Sequence, residues 1–518
     1  MKSKKIYTIL LVVLIILQVL VNIYVGTKKE YYHMDEAYSY GLMNYDKLNI
    51  TDNEDFLNKW HNKEYYIDYF ALNSDEMSDW GAVYENQKND VHPPLYYLLL
   101  RISSLFTIDS FSKWTGIGLN IIILAISSIL MYIICNKIFK SNVWALIVTA
   151  INAFSFSTLE NAIYIRMYAL STLNMLLFTY MTLRVYEKKE LNIKDMILTG
   201  LVLILGGLTH YYFFIYVVGV YLCLLYKSIR EKNYKFIIRY TIMAAISAVI
   251  YLLIFPYSIS HIFFGYRGAG SASGTTALEI IKSIGIYLYI VNKNIFNYIL
   301  PLYLIVILGI FIVCKIMKKK NNEEKQKASI VNYILVGTLL YFILIAILTP
   351  YKEIRYILPI CPLIIICTVY YSKLLLQKVL NNKTVMIIIS ICFAVIICTP
   401  ALTKNKLEFT YSQHNGIAER IEKLDAPILY VFNTQNNRFL DDIYLFTLVD
   451  ESYILNANDF SEEKIDEIFE NKDLKNGLVV ICNADINQEE LKQTIYNELH
   501  LNMEYTQRMN ACDIYYAK

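Results

Sequence analysis

The chain has 518 residues, of which 56% are hydrophobic and 18% charged, with a formal net charge of +3. Soluble domains are roughly 45–50% apolar and about 25% charged, so this composition excludes a soluble globular enzyme, a disordered chain and a fibrous protein. The small net charge excludes a nucleic-acid binder held by a strongly basic surface.

The apolar residues fall in blocks of about 18–25, the length that crosses a ~30 Å hydrocarbon core. They do not show the weak alternation of an outer-membrane barrel. Met1–Lys5 followed by the apolar run Ile6–Val25 reads as an uncleaved first span, because the run is too long for a signal peptide and no small-residue cleavage site follows. Further spans are expected at 113–135, 143–159, 162–183, 196–211, 212–226, 236–256, 295–314, 329–349, 356–372 and 384–401.

Threading these from a cytoplasmic N-terminus with Lys2, Lys4 and Lys5 puts the basic clusters on one side. They include Lys137/Lys140, Arg184/Lys188/Lys189, Lys227/Arg230/Lys232/Lys235 and Lys373/Lys378/Lys383. This is the positive-inside pattern, and it leaves the C-terminal tail extracytoplasmic. The expected organisation is a transmembrane domain over 1–401 with an external loop at 26–92. A helix lying in the interface is expected at 93–107, and a mobile, Gly-rich external loop at 257–294. Residues 402–518 alternate strand-like runs (Pro427–Phe432, Gly477–Cys482, Ala511–Tyr516) with helical patterns (Gly416–Leu424, Ser461–Glu470, Gln488–Leu499), which predicts a small α/β domain. The fold class is thus a polytopic α-helical membrane protein of about eleven spans with an extracytoplasmic α/β domain. Seven of the nine cysteines lie in apolar blocks and read as buried hydrophobes. Cys482 and Cys512 lie in the tail, where one disulfide is possible.

Five motifs carry candidate chemistry, and the charge-derived topology places all of them at the outer face. Asp35-Glu36 follows the first span. One carboxylate of such a pair can act as general base while the other orients it or binds substrate; the alternative is a solvated loop acid. His92, in His-Pro-Pro-Leu-Tyr-Tyr, either binds a phosphate or hydroxyl or merely precedes a helix start. Arg166 lies a turn into a span, with Glu160 as a structural partner or a ligand as a functional one. His210 stands between two closely joined spans. Lys352 and Arg355, followed by Tyr356, sit on the charge-poor side. They either snorkel to headgroups or clamp phosphate, for which the arginine fork is suited. Arg267 is a weaker candidate for the same task.

Together, Asp35-Glu36, His92-Pro-Pro-Leu-Tyr-Tyr97, Arg166-Met-Tyr-Ala-Leu170, Thr209-His-Tyr211 and Arg355-Tyr-x-x-Pro359 resemble the bacterial glycosyltransferase family 39. These are relatives of protein O-mannosyltransferases and aminoarabinose transferases, with the C-type glycosyltransferase fold. The resemblance covers about residues 1–400. It implies a membrane transferase that moves a sugar from a polyprenyl-phosphate-linked donor to an extracytoplasmic acceptor hydroxyl on protein, lipid or polymer. It also implies Asp35 as general base and Glu36 as its support. Arg355 and Lys352 would neutralise the departing phosphate, with Arg166, His92 and His210 lining the cavity. Direct attack by one activated hydroxyl inverts the anomeric centre and needs no second nucleophilic carboxylate. No cofactor is required by the motifs, no His/Cys metal spacing is visible, and Asp35 and Glu36 suit Mg or Mn if a divalent cation is used. The competing class is a transporter or flippase of lipid-linked sugars, which would place charges and broken helices near the midplane.

Overall fold

The computed structural model describes residues 2–44, 50–186, 188, 190–265, 276–316, 330–380, 382–403, 407–411, 414–433, 438–483, 485–509 and 512–518. In chain order the helices are α1 (Lys2–Thr27), α2 (Met34–Met43), α3 (Lys63–Phe70), α4 (Gly81–Asn89), α5 (Leu95–Ser104), α6 (Lys113–Phe139), α7 (Asn142–Ala153), α8 (Phe156–Ile163), α9 (Tyr168–Tyr186), α10 (Ile193–Gly207) and α11 (Phe213–Arg230). They continue as α12 (Tyr234–Ile254), α13 (Ser258–Phe263), α14 (Ala277–Asn294), α15 (Leu300–Ile316), α16 (Ile330–Leu348), α17 (Cys361–Val379), α18 (Lys383–Thr403), α19 (Asn415–Leu424), α20 (Phe439–Phe446), α21 (Glu462–Phe469) and α22 (Gln488–Leu499). The strands are β1 (Lys59–Asn62), β2 (Ile428–Phe432), β3 (Glu451–Asn456), β4 (Leu478–Asn483), β5 (Met503–Met509) and β6 (Cys512–Ala517). The chain forms two compact units. One comprises Met1–Val25, Gln87–Tyr96 and Ile117–Leu407; the other comprises Gly26–Asn86, Tyr97–Gly116 and Glu408–Lys518.

The first unit is the membrane part. Each of the eleven expected spans overlaps a helix. Among the described residues six helices are long and apolar enough to cross a bilayer, and a seventh is obtained if α7 and α8, bent by 53°, count as one span. Outward side chains confirm the solvent: Ile9 and Ile16 on α1 are each 53% exposed, and Ile305 on α15 is 67% exposed. Such rows of bare aliphatics belong in lipid, where helix association rests on close packing. Gly219 on α11 and Gly337 on α16 supply that packing. A Cβ on Gly219 would stand 2.7 Å from the Gly337 Cα.

The second unit is built on a six-stranded sheet in the order β1-β3-β2-β4-β6-β5. β2 pairs in parallel with both β3 and β4. Its run Ile-Leu-Tyr-Val-Phe is buried throughout, as parallel strands covered on both faces must be. Leu429, Val431, Val480 and Cys482 pack on Ile465 and Ile468 of α21 and on Leu491 and Ile495 of α22. On the other face Tyr430 meets the rings of Phe439 and Phe446 from α20. The edge strand β1 comes from the loop 26–92 and pairs antiparallel with β3, so the sheet draws on both sides of the 401/402 boundary.

Several expectations are corrected. The region 257–294 is not a loop at its ends: α13 and α14 occupy 258–263 and 277–294. α14 opens with a capping box in which Thr276 and Glu279 satisfy each other's orphan backbone amides. The Gly-rich stretch 266–275, with Arg267, lies outside the described residues. Glu160 lies within α8, and Arg166 is not on a span but in the break between α8 and α9. Cys482 and Cys512 are free. In the antiparallel register Cys482 faces Asp513 and Asn483 faces Cys512, so the two thiols point to opposite faces of the sheet.

Candidate active site

In the first unit, the chain breaks helical structure where the motifs fall. α8 ends at Ile163 and α9 begins at Tyr168. The freed carbonyl of Tyr164 accepts from Asn120 Nδ2 at 2.8 Å, and Asn120 Oδ1 in turn accepts from the Tyr96 hydroxyl at 3.2 Å. Satisfying that backbone lets a non-helical segment persist in a membrane protein. It also places Arg166, 4% exposed, beside His92. Arg166 Nη2 is 3.5 Å from both ring nitrogens of His92, a charge contact over the ring rather than a directed bond. His92 Nδ1 donates to Asp90 Oδ2 at 2.7 Å. Burial pushes the Asp90 carboxyl up, but His92 and Arg166 outweigh it and hold it below the usual aspartate value.

The cluster continues through aromatic rings. The His92 and His210 rings lie 6.3 Å apart between centroids, and Tyr168 stands 5.7 Å from His210. His210 occupies the turn between α10 and α11, where its Nδ1 accepts from the Tyr212 amide at 3.2 Å. Burial, with His92 and Arg166 adding positive charge, lowers its pKa to about 3. His210 is therefore a neutral imidazole at ordinary pH. Tyr168 also meets Tyr356 at 6.4 Å. Arg355, 5% exposed, lies over the Tyr356 ring at 5.2 Å. Its Nη1 donates to the Tyr164 hydroxyl at 3.0 Å and its Nε pairs with Glu353 at 2.9 Å. Five predicted residues, His92, Arg166, His210, Arg355 and Tyr356, thus form one contiguous cluster. Lys352 takes a different part: its Nζ donates to the Ala346 carbonyl at 3.2 Å and to that of Thr349, closing the end of α16. Sequence reasoning missed Asp90, Tyr164 and Glu353. Asp90 stands two residues before His92, but an Asp in a polar stretch reads as solvated.

Asp35 and Glu36 belong to the second unit, in the first turn of α2. His33 is the N-cap: its Nδ1 accepts from the Asp35 amide at 3.1 Å, while Glu36 Oε2 accepts from the His33 amide at 3.1 Å. Lys29 Nζ pairs with the same Glu36 oxygen at 2.9 Å, and neither side chain is exposed. Lys29 also donates to the Phe409 carbonyl at 2.7 Å. Glu36 is thus a buried, charge-balanced capping residue. Asp35 keeps 14% of its side chain exposed, 3.6 Å from His33 Nδ1. This donor set does not suit a divalent cation held by both acids, because an ammonium already occupies Glu36. Among the described residues no three His, Cys, Asp or Glu side chains gather as metal ligands.

The model of the Alg9-like mannosyltransferase family matches residues 284–423, which include Arg355 and Tyr356. The expected likeness to glycosyltransferases is met over this stretch. No curated protein matches the chain in sequence. Among solved structures the chain is similar to ArnT from Cupriavidus metallidurans bound to undecaprenyl phosphate, at 10% identity and a TM-score of 0.49, covering 98% of this chain and 97% of that one. It is also similar to the Archaeoglobus fulgidus oligosaccharyltransferase in complex with Zn and sulfate, at 10% identity and a TM-score of 0.46, covering 97% of this chain and 72% of that one.

Proposed function

We propose that this multi-pass membrane protein is a glycosyltransferase that moves a sugar from a polyprenyl-phosphate-linked donor to a hydroxyl of an extracytoplasmic acceptor. The observation that carries the reading is the cluster of buried Arg166, His210 and Arg355 with half-buried His92; Arg355 lies inside the stretch that matches the mannosyltransferase family. The positive-inside charge distribution supports a cytoplasmic N-terminus and an extracytoplasmic tail.

The chemistry is a single displacement at the anomeric carbon. The acceptor oxygen forms its bond to C1 as the C1–O bond to phosphate breaks, and the electron pair leaves with the lipid phosphate. Asp35 takes the acceptor proton, with Glu36 holding the turn that presents it. The Arg355 and Arg166 guanidiniums meet the charge that develops on the departing phosphate, in a water-poor setting where fixed cations act strongly. Neutral His210 offers hydrogen bonds to sugar hydroxyls or phosphate oxygens, and His92, paired with Asp90, lines the same cluster.

The test is turnover by the full chain in lipid nanodiscs. It is offered undecaprenyl-phosphate-linked hexoses and pentoses with envelope material as acceptor, and release of undecaprenyl phosphate is read. Asp35→Asn is expected to abolish release while leaving folding and insertion intact. Full turnover by that variant removes Asp35 from the mechanism, and no release by the wild type from any donor sinks the transferase reading.

A further inference from the structure

The second unit contains a tether that the transfer reaction as described does not use. α2 begins at Met34, one residue before Asp35, and a helix start leaves its first amides without intrahelical partners. The Met34 amide donates to Asp441 Oδ1 at 3.0 Å, across more than 400 residues of chain. The other oxygen of the same carboxylate accepts from Arg438 Nε at 2.9 Å. The Tyr31 hydroxyl donates to the Asp441 backbone carbonyl and, at 2.9 Å, to Asp442 Oδ1. Asp441 is 2% exposed. A carboxylate so enclosed is fixed in orientation by Arg438 and by the first turn of α20, which carries it.

We propose that Asp441 is a positioning residue for Asp35, holding the first turn of α2 by its N-terminal amide so that the base is presented in one orientation. The inference rests on the reading of Asp35 as general base. The local cap from His33 and Glu36 closes the helix on itself, and Lys29 ties Glu36 to the Phe409 carbonyl. The Asp441 bond refers the start of α2 to the sheet-bearing part of the unit, and the fixed point lies one residue from the base. A carboxylate also suits the positive end of the helix dipole better than a neutral acceptor. Displacement of a catalytic group by about 1 Å can cost on the order of 100-fold in rate, so a single hydrogen bond at this point has leverage on turnover without touching substrate.

The experiment compares wild type, Asp441→Ala and Asp441→Asn as full chains in nanodiscs. It reads amide hydrogen exchange and the kinetics on whichever undecaprenyl-phosphate sugar of the panel the wild type consumes. Asp441→Ala is expected to raise exchange in the first turn of α2 while β2 and β4 stay protected. It should lower kcat by about 10- to 100-fold with the donor KM within about twofold. Asn keeps an acceptor for the Met34 amide, so Asp441→Asn is expected to return most of the lost kcat. Unchanged exchange in α2, loss of protection in β2 and β4 together with α2, or an effect confined to KM would each overturn the proposal. If the wild type turns over no donor, the transferase reading fails separately, and with it the base that Asp441 is proposed to position; the exchange arm still reports whether the tether exists.

Discussion

Lys29 and Glu36 form an ion pair at 2.9 Å in which neither side chain meets solvent. They stand seven residues apart, one just past the first span and the other in the opening turn of α2. The same ammonium lies 4.8 Å from the centre of the Tyr411 ring. The turn that carries the acidic pair is therefore held through Lys29 to Phe409 and Tyr411.

Removing one partner of a buried pair leaves an uncompensated charge and costs about 3–5 kcal/mol. Lys29→Met is expected to lower the thermal midpoint and the folded yield in detergent size-exclusion profiles. Adding Glu36→Gln should restore much of the loss, because the second charge is then gone as well. A double variant no better than the single one would show that Lys29 acts through Phe409 and Tyr411 alone.

Arg355 contributes both charge and geometry. Arg355→Ala is expected to lower kcat/KM for the lipid-linked donor by about 100-fold, the scale for losing one fixed donor to a developing oxyanion. Arg355→Lys should fall between, since it keeps the charge and loses the planar fork. Steady-state kinetics against donor concentration decide this, and unchanged donor kinetics in Arg355→Ala would leave the residue a packing partner of Tyr164 and Tyr356.

His210 gives a pH signature. A histidine in an unfolded chain titrates near ~6.5, whereas burial, with His92 and Arg166, lowers His210 to about 3 in the folded state. Between those values the unfolded chain binds more protons. Stability is thus complete above ~6.5 and declines as pH falls toward 3. His61 and His414 are also lowered by burial, so the comparison that isolates the effect is wild type against His210→Gln. The variant is expected to lose less thermal stability between pH 7 and pH 5, as read by melting in nanodiscs at about these two values.

The helix crossing at Gly219 and Gly337 gives a prediction independent of chemistry. Gly219→Leu drives a side chain into the backbone of α16, since even a Cβ would lie 2.7 Å from the Gly337 Cα. Overpacking of this kind costs about 1–3 kcal/mol or more. Gly309→Ala, where nothing lies within 4 Å, is the matched control and should be neutral. Equal melting of the two variants would contradict the close crossing.

Much of this architecture was legible because single interactions dominate it. The apolar blocks located the helices, and the buried runs Ile428–Phe432 and Leu478–Asn483 read as strands because parallel strands hide both faces. β1 was invisible: Lys-Trp-His-Asn is short and polar, and it is a strand only because β3 lies beside it. α14 was hidden by the Gly-rich stretch before it, although Thr276-Ala-Leu-Glu279 spells a capping box. In the site, charged residues stranded in apolar surroundings announced themselves, as Arg166 and Arg355 did. Asp90 and Glu353 did not, because an acid in a polar loop acquires meaning only from the cation that folds against it.

The pairing of β1 with β3 joins residues 59–62 to residues 451–454. During synthesis the segment bearing the edge strand emerges early, and its hydrogen-bonding partner arrives only after nearly four hundred further residues have been made. Throughout that interval the N-terminal acid-bearing region has no finished scaffold. A ribosome stalled among the later membrane helices would leave a polypeptide inserted in the bilayer yet unable to assemble its sheet-bearing unit, so completion of the sheet makes maturation a late, all-at-once event.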